Sequence, residues 1–242
     1  METAKKAATF MLVAGTWCGG WCWDFVAKRL RAAGHRVLTP SFSGLAERAH
    51  LLTDRLTLED HVMDLINAFR YLELHDVILV GHSYAGFPIT CALDRLPREA
   101  VRHVLYIDGL LPKNGESGAS MMSSTDTGRF FGDSIRPGNI ILPVPIVPPG
   151  RFQNDDVQNW FQRMMTPHPI RTYTDTARLE HEPGNGFPTT FVACSHTKIS
   201  ALVLSRHRAE FNPTWKIIPI DSAHNAHILH PDLISDILLS LC

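Results

Sequence analysis

The chain has 242 residues, 45 % of them hydrophobic and 19 % charged, enough apolar material for a full core and too few charges for a long disordered tail. Its 23 Lys and Arg against 24 Asp and Glu leave a formal net charge of −1, so no summed field is available to hold nucleic-acid phosphates or an anionic membrane. The five cysteines (Cys18, Cys22, Cys91, Cys194, Cys242) are scattered, with neither CxxC pairs nor the density of a disulfide scaffold, which points to a reducing, cytoplasmic setting.

No apolar run approaches the roughly 20 residues that cross a bilayer, so no membrane partner is expected. Lys5 and Lys6 ahead of the run Ala7 to Gly15 imitate a signal peptide. The run nevertheless passes straight into a patterned helix without a persuasive cleavage site and reads as a strand. Short β-rich apolar runs then recur at Thr9–Ala14, Arg36–Pro40, Asp76–Val80, Val101–Ile107, Thr189–Ala193 and Trp215–Ile220. Helical patterns separate them, which predicts an α/β chain with about six strands in a mostly parallel sheet. Trp21 to Ala33 reads as a helix closed by Gly34. Leu58, Val62, Leu65, Phe69 and Leu72 recur at helical spacing behind a Thr57/Asp60 capping pair, and Pro231 opens a last helix.

The alternation breaks down after Leu110, and nine of the sixteen prolines fall between Pro137 and Pro188. Proline at that density opposes sheet ladders and long helices, so the expectation is a lid and not a second sheet. The segment is rich in Met and aromatic residues, Trp160 and Phe161 among them. The expected organisation is a core over 1–110 and 188–242 with an inserted cap, 111–187, over an apolar pocket; about half of the cap's apolar side chains are expected only to pack it onto the body.

The chemistry centres on Val80-Gly-His-Ser-Tyr-Ala-Gly86, read as a nucleophile elbow of the G-x-S-x-G type at the junction of a buried strand and a helix. A serine hydroxyl needs a general base, and the loop after the last strand supplies His224. The spacing of His224, His227 and His230 also suggests a metal cluster, but no carboxylate or cysteine set completes one, so no metal is expected. Two N–H donors for an oxyanion are expected from Tyr84, directly after the serine, and from Thr16 in the glycine-rich loop after the first strand. Those glycines would also serve a tight turn alone.

Gly15-Thr-Trp-Cys-Gly-Gly-Trp-Cys-Trp23, Pro40-Ser-Phe-Ser-Gly-Leu-Ala-Glu-Arg48, Gly81-His-Ser-Tyr-Ala-Gly86 and Val104-Leu-Tyr-Ile-Asp-Gly-Leu-Leu-Pro112 together resemble the α/β-hydrolase superfamily. Within it they resemble the esterase branch of bacterial pyrethroid-hydrolase-like carboxylesterases, plant methylesterases and hydroxynitrile lyases. The resemblance covers roughly residues 8–112 and 188–242 and implies the α/β-hydrolase fold and a cofactor-independent serine esterase or lactonase acting on a small, largely apolar substrate. The family's loop histidines are replaced by Ala14 and Cys18, and Asn225 stands where the lyases carry lysine. Trp17, Trp160 and Phe161 are expected to touch substrate. Two other readings of the fold are a non-catalytic binder of small molecules, and a lyase or cofactorless oxygenase reusing the Ser–His pair.

The usual place for the third member of a Ser–His–acid relay, after the strand Thr189–Ala193, holds no carboxylate. Asp108 closes the preceding strand, which should lie beside the strand of Ser83 with their C-terminal ends on one edge. It is therefore the expected acid. Asp221 is the rival, and a turn-forming role for Asp108 is the alternative.

Overall fold

The structure is a computed structural model that describes residues 7–136, 138–152 and 154–242. Lys5 and Lys6 lie outside the described residues. In chain order the principal elements are β1 (Thr9–Val13), α1 (Asp24–Ala32), β2 (Arg36–Leu38), α2 (Leu58–Tyr71), β3 (Val77–His82), α3 (Gly86–Leu93), β4 (Val101–Ile107), α4 (Ser124–Phe131), β5 (Ile141–Leu142), α5 (Asp155–Met164), β6 (His168–Pro169), α6 (Arg171–Thr174), β7 (Thr189–Cys194), α7 (Ser200–Glu210), β8 (Lys216–Ile220), α8 (Ala226–Leu229) and α9 (Pro231–Leu239). Six strands form one sheet in the order β2-β1-β3-β4-β7-β8. Every neighbouring pair in it is parallel.

The sheet is buried on both faces, and the two-residue period of its side chains divides the core. Met11 and Val13 of β1 pack with Val62, Leu65 and Phe69 of α2, with Phe87 of α3 and with Leu202 of α7. Phe10 and Leu12 point the other way, onto Val26 and Leu30 of α1 and Ile234 and Leu238 of α9. Helix α2 begins at a full capping box, in which Thr57 accepts from the Asp60 N–H and Asp60 accepts from Thr57; such a cap contributes about 1 kcal/mol. No described helix is long and apolar enough to cross a membrane.

The segment between β4 and β7 has more structure than its proline content led us to expect. Helices α4 and α5 occupy proline-free windows and start on the side-chain caps Ser123 and Asn154. The ladder between β5 and β6 is only two residues long and contains Pro169. Proline thus limits the ladder without preventing helices beside it.

Candidate active site

The register of the sheet assembles the site at one edge. His82 pairs with Ile107, so Ser83 and Asp108 are the next residues beyond adjacent strand ends. Ile107 pairs with Val192 across β4 and β7, and Cys194 pairs with Ile220 across β7 and β8. The loop carrying His224 therefore starts beside the end of β7. The exit of β4 is bound over the turn at Ser83, because the Leu110 N–H donates to the Ser83 carbonyl (2.9 Å).

The turn itself is strained, with Ser83 at φ 57°, and Trp17 (φ 63°) and Asp108 (φ 43°) share the left-handed region. Non-glycine residues reach it at a cost of order 1–3 kcal/mol, and such strain concentrates where surrounding structure holds a reactive geometry. One detail of the sequence reading needs correction. The residue two places after Ser83 is Ala85, not a glycine, and its helical φ of −56° accommodates a Cβ. The glycine falls at Gly86, for a different reason: a Cβ there would sit 2.6 Å from the Leu110 carbonyl oxygen. Gly15 meets a similar limit, since its Cβ would come within 2.9 Å of the Ser83 Cβ. The loop after β1 thus lies directly against the elbow at Gly15.

A hydrogen-bonded path joins the three predicted residues. Ser83 Oγ lies 2.8 Å from His224 Nε2, and His224 Nδ1 lies 3.1 Å from Asp108 Oδ2. A carboxylate can only accept, so Nδ1 carries the proton and Nε2 offers its lone pair to the Ser83 hydroxyl. That arrangement can take a proton from the hydroxyl as it attacks an electrophile. Asp108 is itself held on both oxygens: the Cys194 N–H donates to Oδ1 (2.9 Å) and the Thr197 hydroxyl donates to Oδ2. Asp221 is elsewhere, exposed at the end of β8 and paired with His196 Nε2 at 2.8 Å.

Thr16 and Tyr84 flank Ser83, and their side chains are anchored away from it. The Thr16 hydroxyl bonds to Tyr173 OH (2.5 Å), and Tyr84 OH bonds to His61 Nδ1 (2.9 Å). The Thr16 N–H has no partner among the described residues. Tyr84 stands in the first turn of a helical run, where N–H groups lack an intrahelical acceptor. Burial disfavours the charged form of the histidines behind the site. Burial, with His227 and His224 beside it, holds His82 well below the ordinary imidazole range. Burial with His224 nearby pushes His227 down to about 3. His82 Nε2 donates to the His224 carbonyl (2.9 Å), fixing the backbone that carries the base.

Ser83 and His224 open on a cavity of about 240 Å³, lined among others by Trp17, Phe130, Val147, Phe161 and Met165. A larger hollow of about 900 Å³ lies between Glu59, Asp94 and Arg178 and contains none of these groups. Trp17 and Phe161 line the cavity. Trp160 does not: it packs edge-on against Trp21 (5.0 Å between ring centroids) and Phe25 (5.6 Å). Consecutive residues on a helix point about 100° apart, so only one of this pair can face inward. The sequence reading counted Phe130 among the apolar residues of the cap without singling it out, and it missed Arg151 and Thr197, which no periodicity or motif marks. Among the described residues no three His, Cys, Asp or Glu side chains converge in a way that could hold a metal ion.

Comparison with known proteins agrees with this architecture. The chain is 30 % identical over 245 residues to a carbendazim hydrolyzing esterase of Nocardioides sp. (strain SG-4G), an alignment covering 97 % of this chain and 99 % of that protein. It is 24 % identical to methylesterase 8 of Arabidopsis thaliana, covering 96 % of this chain and 88 % of the relative. Tomato methylketone synthase I, solved in complex with 2-tridecanone, superposes with a TM-score of 0.78 at 18 % identity over 97 % of each chain. The profile of the alpha/beta hydrolase family matches residues 10–237. That match runs from β1 to α9, across the whole sheet whose register sets the site, and the chain belongs to the alpha/beta hydrolase family.

Proposed function

We propose that the protein is a serine carboxylic-ester hydrolase that works through an acyl-enzyme on small, largely apolar esters or lactones. The observation that carries this reading is the continuous path from Ser83 Oγ through His224 to Asp108, with contacts of 2.8 and 3.1 Å, opening on an apolar cavity. The names of the esterase and methylesterase relatives support ester hydrolysis.

In this mechanism Ser83 Oγ attacks the ester carbonyl while His224 Nε2 takes its proton, and Asp108 stabilises the imidazolium that forms. The developing oxyanion is met by the backbone N–H groups of Thr16 and Tyr84. His224 returns the proton to the departing alcohol, then takes one from a water that attacks the acyl carbon and hands it to Ser83 Oγ as the acid leaves, which restores the resting enzyme. Every proton has a donor and an acceptor within the chain or the reactants, so the reading requires no cofactor. Segment 111–187 acts as the cap: Phe130, Phe161 and Met165 line the cavity with Trp17, whose ring lies 5.1 Å from that of Phe130, and the Thr166 N–H ties the cap to the Trp17 carbonyl (3.0 Å). The four buried cysteines, Cys18, Cys22, Cys91 and Cys194, are unbridged, which supports residence in a reducing compartment.

A spectrophotometric series of p-nitrophenyl esters of increasing acyl length, run beside a lactone and a methyl ester, tests the reading. Turnover of short to medium esters, lost in Ser83→Ala, is expected. A folded protein that hydrolyses none of them contradicts it.

A further inference from the structure

The cavity at Ser83 does not end at its apolar walls. A second hollow of about 370 Å³ shares Phe130, Arg151, Ile199 and His224 with it, so the two adjoin, with Arg151 on their common border. The Arg151 guanidinium donates to Asn225 Oδ1 (3.0 Å) and forms no ion pair with a described residue. Burial alone lowers its pKa from the ordinary arginine value. Farther out, Arg129 and Lys198 line the hollow, again without ion pairs to described residues. The only carboxylate in that lining is Asp126, and its Oδ2 accepts the Ser200 N–H (2.7 Å). His196 is taken by Asp221. A chain with net charge −1 thus gathers Arg151, Arg129 and Lys198 beside its site, against the single carboxylate of Asp126, which Arg129 helps to hold in its charged form.

These cations do not serve the chemistry at Ser83. The charge of Arg151 opposes protonation of His82, and it gives nothing to a mechanism that builds positive charge on His224. A guanidinium that reaches solvent beside the cavity and pairs with no described carboxylate is available to take a ligand carboxylate in fork geometry. We propose that this hollow is a carboxylate subsite centred on Arg151, and that the preferred substrates are esters carrying a second, anionic group remote from the reacting carbonyl, such as half-esters of dicarboxylic acids. The proposal rests on the esterase reading and narrows its substrate class. Arg129 and Lys198 add a field that draws the anion towards the mouth.

The test compares monomethyl glutarate, adipate and pimelate with methyl pentanoate, hexanoate and heptanoate by proton release, with acetoxyacetate against ethyl acetate to cover a charge on the alcohol side. The expected result is a kcat/KM at least tenfold higher for the charged member of one set, a preference that shrinks in about 0.5 M salt. Arg151→Gln should lower that preference by about 10- to 100-fold, the scale of one charge-assisted hydrogen bond, while Arg151→Lys retains part of it. Absence of any preference in the native protein overturns the subsite. So does an equal loss on charged and neutral esters in Arg151→Gln, which would make Arg151 a strut for Asn225. Calorimetric binding of monomethyl adipate to Ser83→Ala separates the two readings. Binding that depends on Arg151, in a protein that turns over no ester, keeps the subsite and rejects the hydrolase; turnover of neutral esters without such binding does the reverse.

Discussion

Replacing Asp108 with asparagine perturbs the relay without removing volume. Asp108 Oδ1 accepts the Cys194 N–H at 2.9 Å, and Oδ2 faces His224 Nδ1 at 3.1 Å. In the variant the amide oxygen keeps the Cys194 bond, since an NH₂ cannot accept it. The amide nitrogen then faces Nδ1 as a donor. His224 must respond by carrying its proton on Nε2, directed at Ser83 Oγ, and a base in that tautomer cannot take the serine proton. The expected loss in kcat is about 10²- to 10⁴-fold, equivalent to about 2.7–5.4 kcal/mol of transition-state stabilisation, the upper end being the serine protease precedent. KM should change far less. The assay is steady-state hydrolysis of a short p-nitrophenyl ester at neutral pH, with circular dichroism to verify the fold. Asp221→Asn is the control, because that carboxylate is 91 % exposed and among the described residues pairs with His196 and Ser195 alone; it should cost less than about threefold. Near-native turnover in Asp108→Asn, or the reverse ranking of the two variants, would refute the reasoning.

Two further outcomes follow from the packing. His227 is fully buried with neither ring nitrogen bonded among the described residues, and its folded pKa of about 3 lies below the ordinary 6.5. The unfolded chain therefore binds the proton first, and the stability tied to this group is complete above about pH 6.5 and falls as pH drops towards 3. His227→Phe should gain on the native protein with each pH unit below 6.5, read as urea midpoints at pH 7.5 and 5.5; a constant difference between the two pH values contradicts it. Trp160→Ala should lower the melting temperature with little effect on KM, whereas Phe161→Ala should raise KM for bulky apolar esters more than for acetates. Equal KM effects from both would mean that Trp160 reaches substrate.

Much of this architecture was legible in the residues, for identifiable reasons. Buried parallel strands are uniformly apolar, so runs such as Val101–Ile107 stand out from the helices between them. The main errors lie at strand ends. Strand β3 runs on through Gly81 and His82 because the elbow begins only at Ser83, and β2, an edge strand, stops at Leu38. Asp108 could be reached by topology, because adjacent parallel strands deliver their ends to one edge. Trp160 was misjudged because the rotation of α5 about its axis depends on Trp21 and Phe25, which are distant in sequence. Arg151 and Thr197 were invisible, since a lone side chain in an irregular loop carries no period to read.

The central claim is that Ser83 is the nucleophile, and covalent labelling addresses it most directly. Treating the native protein with a fluorophosphonate and mapping the adduct by peptide mass spectrometry should give one modification, on Ser83, with turnover lost in proportion to labelling. Ser83→Ala should take up no label and hydrolyse esters about 10³- to 10⁶-fold more slowly while keeping its fold. An adduct on another residue, or near-native turnover by Ser83→Ala, would contradict the account.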